Sequence, residues 1–319
     1  MVGYAGFMPE SKSTRDLQRS LWYGAGKRSG TPTLIVPENQ QEAGGSAMKI
    51  AIQGEPGSFS HEATAKLDPS AAILPLALSA EVFAALDDGT VDAAVIPIEN
   101  SLAGSVLEHY DLLLRYDVKI ERETLLRIRH NLITMPGTPI GEIERVFSHP
   151  VALAQCKQFL AAHPRMEAMA FYDTAGSVKQ LVELGDRQAA AIASEAAARY
   201  YGAQILEANI EDNPENFTRF FLVRRSAEAV TDSEANKISL AFTLENRPGS
   251  LVTALNALSE IGTNLTKIES RPVHGKPWEY IFYVDCQIRS FAEGSRAVDA
   301  LRSRCGMVKE LGRYREARG

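Results

Sequence analysis

The sequence predicts an α/β protein: a two-lobed domain with a cleft, followed by a smaller ferredoxin-like βαββαβ module. Short apolar runs such as 49–53, 91–98 and 189–193 alternate with amphipathic helical stretches, the rhythm of an α/β fold. Polar residues gather where four or five of those runs end, the place where open α/β sheets bind ligands. The βα units are too few and too irregular for an eight-fold barrel, so two lobes fit better. From residue 237 the order changes to strand, helix, two hairpin strands, helix, strand, which defines the second module.

Composition narrows the function classes. With 319 residues, 45% hydrophobic and 23% charged, the chain is long enough for two cores of ordinary globular character. A net charge of −6 disfavours nucleic acid as a partner and obliges any anionic substrate to be held by local donors. Cys156, Cys286 and Cys305 are odd in number and widely spaced, which points to reduced thiols and a cytoplasmic setting. None has a Cys or His at metal-ligand spacing, so no metal is expected. No run reaches the length of a membrane span, and residues 1–47 lack the apolar block expected of a secretory signal. Residues 1–47, rich in Gly, Ser, Gln and Pro, are expected to form a disordered extension.

In the first domain, 48–225, Lys49–Gln53 reads as a strand and His61–Leu67 as a helix. The intervening Gly54-Glu55-Pro56-Gly57-Ser58-Phe59-Ser60 offers amides and a Ser N-cap to an anion, though alone it reads by default as a plain βα turn. A helix over Ala80–Leu86 precedes the strand Val91–Ile98, which delivers Glu99, Asn100 and Ser101 at its end. A helix through Leu112–Leu114 follows. Val118–Arg129 and Asn131–Met135 have strand character, broken by a turn at Pro136-Gly137. Val146–Pro150 ends in Ser148 and His149, and a helix is expected over Val151–Ala161. A strand end at Phe171 leads through Asp173 and Thr174 into the amphipathic Val178–Leu184. Ala189–Ala193 is a small-residue strand feeding a helix through Tyr201.

The polar loop from Asn213 then enters the aromatic strand of Phe217, Phe220 and Phe221, with Thr218 and Arg219 at its mouth. A hydroxyl can meet a leaving oxygen, and a guanidinium fork suits carboxylates. Consecutive strand residues face opposite sides, so both reach one ligand only if the chain bends there. A charged linker spans 226–236. The second module, 237–314, comprises strand Lys237–Leu244, a helix bearing Leu251, Leu255 and Leu258, and strand Leu265–Val273. A turn at His274–Pro277, strand Trp278–Gln287, a helix near 291–304 and a strand near 307–311 complete it.

These residues resemble prephenate dehydratase from Met48 to about residue 312. Gly54–Ser60, Ile96–Ser101, Ser148-His149-Pro150 with Ala154-Gln155-Cys156, Asp173–Gly176 and Asn216–Phe220 carry the resemblance. Glu245–Leu251 and Leu265–Pro272 in the second module resemble an ACT regulatory domain. The resemblance implies a periplasmic-binding-protein-like catalytic domain that converts prephenate to phenylpyruvate, with no cofactor, on the way to phenylalanine. Thr218 is implied as the essential donor to the departing hydroxyl, with Asn100 and Glu99 as its expected catalytic partners; a weak donor, it needs help from a neighbouring cation or from Glu99 held protonated in a closed cleft. Ser101, Ser148, Gln155, Thr174, Arg219 and Phe220 are implied as substrate-binding. Arg219 is the candidate carboxylate clamp. Val151 and Ser250 depart from the family pattern. L-phenylalanine is implied as effector, held by Pro248, Gly249, Ser250, Leu251, Glu269, Ser270, Arg271 and Pro272, in a homodimer or homotetramer joined through the ACT modules. Arogenate dehydratase and a non-catalytic amino-acid sensor are the competing readings. No chorismate mutase segment is apparent in residues 1–47.

Overall fold

The computed structural model describes residues 47–273 and 279–317. The expected N-terminal extension and the turn at His274–Pro277 lie outside the described residues.

The first domain opens with β1 (Lys49–Gln53), α1 (Phe59–Leu67), β2 (Ala72–Leu76), α2 (Ser79–Asp87), β3 (Ala93–Asn100), β4 (Gly104–Ser105), α3 (Leu107–Arg115) and β5 (Val118–Arg127). The chain then crosses to a second sheet: β6 (Asn131–Thr134), β7 (Arg145–Ser148), α4 (Pro150–Ala154), α5 (Lys157–Ala162), β8 (Glu167–Ala170), α6 (Thr174–Leu184), β9 (Ala189–Ala193), α7 (Glu195–Tyr201) and β10 (Gln204–Glu207). It returns through β11 (Phe217–Arg225). The final module is β12 (Lys237–Leu244), α8 (Ser250–Ile261), β13 (Asn264–Pro272), β14 (Tyr280–Gln287), α9 (Phe291–Arg302) and β15 (Val308–Tyr314).

Two sheets result. One runs β10-β6-β9-β7-β8; the other runs β13-β14-β12-β15-β5-β11-β3-β1-β2, with β4 alongside β3. Each lobe of the cleft therefore has its own sheet. In the module the strand order β13-β14-β12-β15 with antiparallel pairing is that of a split βαβ sandwich. It continues the sheet of the first lobe through a single parallel contact of Gly312 with Ile120. A Cβ on Gly312 would come within 2.2 Å of the Ile120 carbonyl oxygen, so only glycine lets these strands meet.

Alternation explains how the module docks. Along β12, Ile238, Leu240 and Phe242 join Ala254 and Leu258 of α8 and Leu301 of α9 in one core. Ala241 faces the other way and joins Tyr283, Tyr314 and Leu311 against Phe221, Ile96 and Leu113 of the first lobe. A side-chain period of two thus gives the module one face for its own helices and one for the first lobe.

Local expectations shift at a few points. Ser58 rather than Ser60 caps α1. The helix expected over Val151–Ala161 is two short helices separated at Gln155 and Cys156. Asp212 causes the break: its carboxylate accepts the N–H groups of Lys157 and Gln158, each at 3.0 Å, opening a new helix there.

Candidate active site

A cavity of about 530 Å³ lies between the two sheets, at the ends of β1, β3, β7 and β11. Asn100, Gln155, Thr174, Thr218 and Phe220, all expected on its wall, do line it.

Thr218 sits at the end of a relay of neutral side chains. The Asn100 amide oxygen accepts from the backbone N–H groups of Leu102 at 3.0 Å and Ala103 at 2.8 Å. Its Nδ2 is thereby aimed the other way, donating to Thr218 Oγ1 at 2.9 Å and Asn216 Oδ1 at 2.7 Å. Asn216 donates in turn to Gln155 Oε1 at 2.9 Å, and His130 Nε2 meets the same oxygen at 2.9 Å. Burial pushes the His130 pKa down, against the pull of the Gln155 hydrogen bond. The imidazole is therefore neutral, with its proton on Nε2 facing Gln155. Because Thr218 Oγ1 already accepts a bond, its own proton is directed elsewhere. That proton finds no acceptor among the described residues, so it is available to a ligand in the cavity.

The opposite wall is acidic. Asp173 caps α6, accepting from the Gly176 N–H at 2.7 Å. Burial raises its pKa, the Gly176 bond opposes this, and the nearby Glu55 charge adds to the rise. Gly54, at φ 98°, lets the backbone pass so close that a Cβ would lie 2.8 Å from Asp173 Oδ2. Both the dihedral and the space require glycine. Glu55 is tied to Lys179 and to the Tyr172 hydroxyl, each at 3.0 Å. Among the described residues no lysine or arginine lines the cavity. Phe59, Ser60 and Thr174 do line it, and as first-turn residues of α1 and α6 their N–H groups lack intrahelical partners. They are the natural hosts for a carboxylate.

Four expected site residues lie elsewhere. Arg219 is buried on the far face of β11, donating to Glu123 at 2.6 Å, to Asp285 at 2.5 Å and to the Tyr314 hydroxyl at 3.0 Å. The pairing with β3 shifts register between Arg219 and Phe220, yet Thr218 and Phe220 face the cavity and Arg219 faces away, so alternation along β11 prevails and a substrate clamp at Arg219 is corrected. Glu99 likewise faces the module, paired with Lys267 at 2.8 Å, so the expected protonated Glu99 in the cleft is corrected too. Ser148 is fully buried and donates to the Ile192 carbonyl at 2.6 Å. Ser101 bridges Glu215 O and Phe217 N, each at 3.0 Å, and stands outside the cavity lining.

In the module, Pro248 and Gly249 are exposed at the start of α8, and Ser250 and Leu251 are half-buried. Ser270 and Pro272 lie on the exposed side of β13. Glu269 and Arg271 face the other way. Glu269 accepts from Ser105 at 2.7 Å, and Arg271 grips Asp111 at 2.5 and 3.3 Å. Both therefore have partners in the first lobe.

Sequence reasoning assigned no site role to His130, Asn216, Tyr172 or Asp173. Asn216 and Asp173 were visible as the polar residues just before β11 and α6. His130 stands alone between two apolar strands, and no local pattern marks it.

A family model for prephenate dehydratase matches residues 50–228. "Arogenate dehydratase/prephenate dehydratase 2, chloroplastic" of Arabidopsis thaliana is 38% identical over 280 residues, covering 85% of this chain and 73% of its own. A prephenate dehydratase from Arthrobacter aurescens, solved in complex with L-Phe, is 29% identical with a TM-score of 0.78, over 84% of this chain and 90% of its own. A solved structure titled as GqqA, a quorum quenching acylase, is 31% identical with a TM-score of 0.77, over 84% and 97% respectively. With the model match spanning more than half of the sequence and a curated relative matching most of it, this chain belongs to the prephenate dehydratase family.

Proposed function

We propose that Thr218, oriented by Asn100, is the group through which this chain removes carbon dioxide and water from prephenate to give phenylpyruvate. One observation carries the assignment: Asn100 Nδ2 donates to Thr218 Oγ1 at 2.9 Å, leaving the hydroxyl proton for the cavity. A hydroxyl that accepts one hydrogen bond donates a stronger one, because the two bonds polarise each other. Aromatisation of the ring supplies the driving force. The protein need only hold the two substrate carboxylates and stabilise negative charge on the departing oxygen, which takes up one solvent proton to leave as water. Gln155, Thr174 and the first-turn amides of α1 and α6 serve the carboxylates, while Phe220 offers an apolar wall. Formation of phenylpyruvate from prephenate by the purified protein tests the reading, and its absence would overturn it.

Arogenate, which carries an amino group in place of the keto group, is the second substrate to consider. Asp173 and Glu55 on the cavity wall favour it, since a carboxylate can receive an ammonium. Comparison of kcat/KM for the two substrates decides between them. An acylase reading has less support, because no His or carboxylate contacts Thr218 Oγ1 among the described residues.

We further propose that 237–314 is an ACT-type regulatory module following a catalytic domain of 48–225 and a linker of 226–236. L-phenylalanine would be the effector, as in the Arthrobacter aurescens complex. Pro248, Gly249, Ser250 and Leu251 with Ser270 and Pro272 are the surfaces available to it, across an interface between copies in a homodimer or homotetramer. The three cysteines are free, in keeping with a cytoplasmic site of action. Among the described residues no helix is long and apolar enough to cross a membrane.

A further inference from the structure

We propose that Arg219, with Glu99 beside it, is a positioning residue through which the βαββαβ module sets the geometry of Thr218 and Asn100. This rests on the role assigned to Thr218 above. Across the β3–β11 pair, Thr218 lies opposite Asn100 and Arg219 lies opposite Glu99. The inward pair shares a hydrogen bond in the cavity. The outward pair is gripped by the module.

The grip is specific. Arg219 reaches Glu123 on β5, Asp285 on β14 and Tyr314 on β15, with its guanidinium stacked 4.7 Å from the Phe221 ring. Ser239 on β12 joins the last two, donating to Asp285 at 2.5 Å and meeting the Tyr314 hydroxyl at 2.5 Å. Glu99 takes Lys267 from β13 at 2.8 Å, and Lys267 also reaches Ser105 at 3.0 Å. Three strands of the module thus touch the outward pair directly, and the fourth braces two of those contacts. Thr218 and Arg219 share a peptide bond, as do Asn100 and Glu99. A displaced guanidinium therefore carries the hydroxyl with it, and misplacement by about 1 Å costs about 100-fold in rate.

A ligand that shifts β13 or β14 accordingly acts on turnover. It moves Thr218 and Asn100 through Asp285–Arg219 and Lys267–Glu99, without touching the groups that bind substrate.

The test is steady-state turnover of prephenate, with and without L-phenylalanine, on full-length Arg219→Lys, Asp285→Asn and Lys237→Met. Lysine keeps the charge but cannot span three partners, and asparagine keeps the shape of Asp285 should the first variant fail to fold. Both are expected to lose about tenfold or more in kcat with KM within about twofold, the signature of a lost transition-state contact. Asp285→Asn should still bind phenylalanine by calorimetry while its inhibition weakens at least about fivefold, since binding and coupling are separate quantities. Lys237 holds the other oxygen of Glu123, and Glu316; replacing it leaves the bonds of Arg219 to Asp285 and Tyr314 in place and should cost thermal stability with kcat kept within about threefold. A raised KM with unchanged kcat in Arg219→Lys would make Arg219 a substrate contact and overturn the proposal. So would unchanged kcat in both fork variants, unchanged inhibition in Asp285→Asn, or an equal loss of kcat in Lys237→Met. A parent protein that makes no phenylpyruvate would overturn the assigned reaction itself, a distinct outcome.

Discussion

Replacing Thr218 by valine removes one hydroxyl and keeps the branched shape of the side chain. Thr218 is 8% exposed at the start of a buried strand, and valine suits both the burial and the strand. The structural cost is small, because Asn100 Nδ2 keeps Asn216 Oδ1 at 2.7 Å and the Phe217 carbonyl at 3.2 Å. One lost hydrogen bond is worth about 1 kcal/mol, and for a chain of this size that lowers Tm by about 2–4 °C. The catalytic cost is larger. Deleting a donor aimed at developing negative charge costs about 10²–10³ in kcat, or about 2.7–4 kcal/mol. Spectrophotometric initial rates of phenylpyruvate formation give kcat and KM, and thermal denaturation gives Tm. A valine variant that turns over at the parental rate, with a parental Tm, would refute the assignment of Thr218. A collapse of Tm with proportional loss of activity would instead mark the hydroxyl as structural.

Asn100→Asp keeps the oxygen that accepts from Leu102 and Ala103 but turns the donor into an acceptor, which would capture the Thr218 proton and face Asn216 Oδ1; kcat should fall about 100-fold, and parental kcat would contradict the relay. Burial raises the Asp173 pKa, so lowering the pH protonates it and removes a charge that repels a dianionic substrate. KM for prephenate should therefore fall as the pH falls, whereas Asp173→Asn, which keeps the bond to Gly176, should lose that part of the dependence. His61, His109 and His130 all have pKa values lowered, chiefly by burial. The unfolded chain then binds protons below pH 6.5 that the folded chain refuses, so stability present above that pH should be lost as the pH falls through their lowered values. Thermal melts between neutral and mildly acid pH check this, and a Tm that rises on acidification would contradict it.

Much of the architecture was legible because period-two and period-3.6 patterns are local. Ala189–Ala193 could be bounded at both ends, since a run of small apolar residues closes on the Ser194 N-cap. The strand at Ala72–Leu76 was missed because Pro75 reads against a strand, and it is tolerated there because β2 is the sheet edge. The break at Gln155 needed Asp212, whose carboxylate arrives from 55 residues away. The same limit divides the site. Asn100, Gln155, Thr174, Thr218 and Phe220 stand at ends of elements, where a polar or aromatic residue on the cleft side shows in the pattern. Arg219 and Glu99 stand one residue away, with partners on β13, β14 and β15 that only the docked module reveals. Alternation had already argued that Thr218 and Arg219 face opposite sides.

The placement of Arg219 also answers a question about the chemistry. Simple charge complementarity would have a chain of net charge −6 that binds a dicarboxylate put a guanidinium in the cavity. In a decarboxylation, however, one of those carboxylates loses its charge as carbon dioxide forms. A cation beside it would hold the ground state more tightly than the transition state and raise the barrier. In the proposed site, amides at the helix starts and neutral side chains would orient the same carboxylate while giving up less as its charge disperses. The charge that does grow lies on the departing oxygen, and there the protein presents a hydroxyl polarised by Asn100. With its cations at Glu99 and Asp285 instead, the chain uses them to fix the strands that carry the donors. On the proposal above, the precision of Thr218 is then the property that the second module alters.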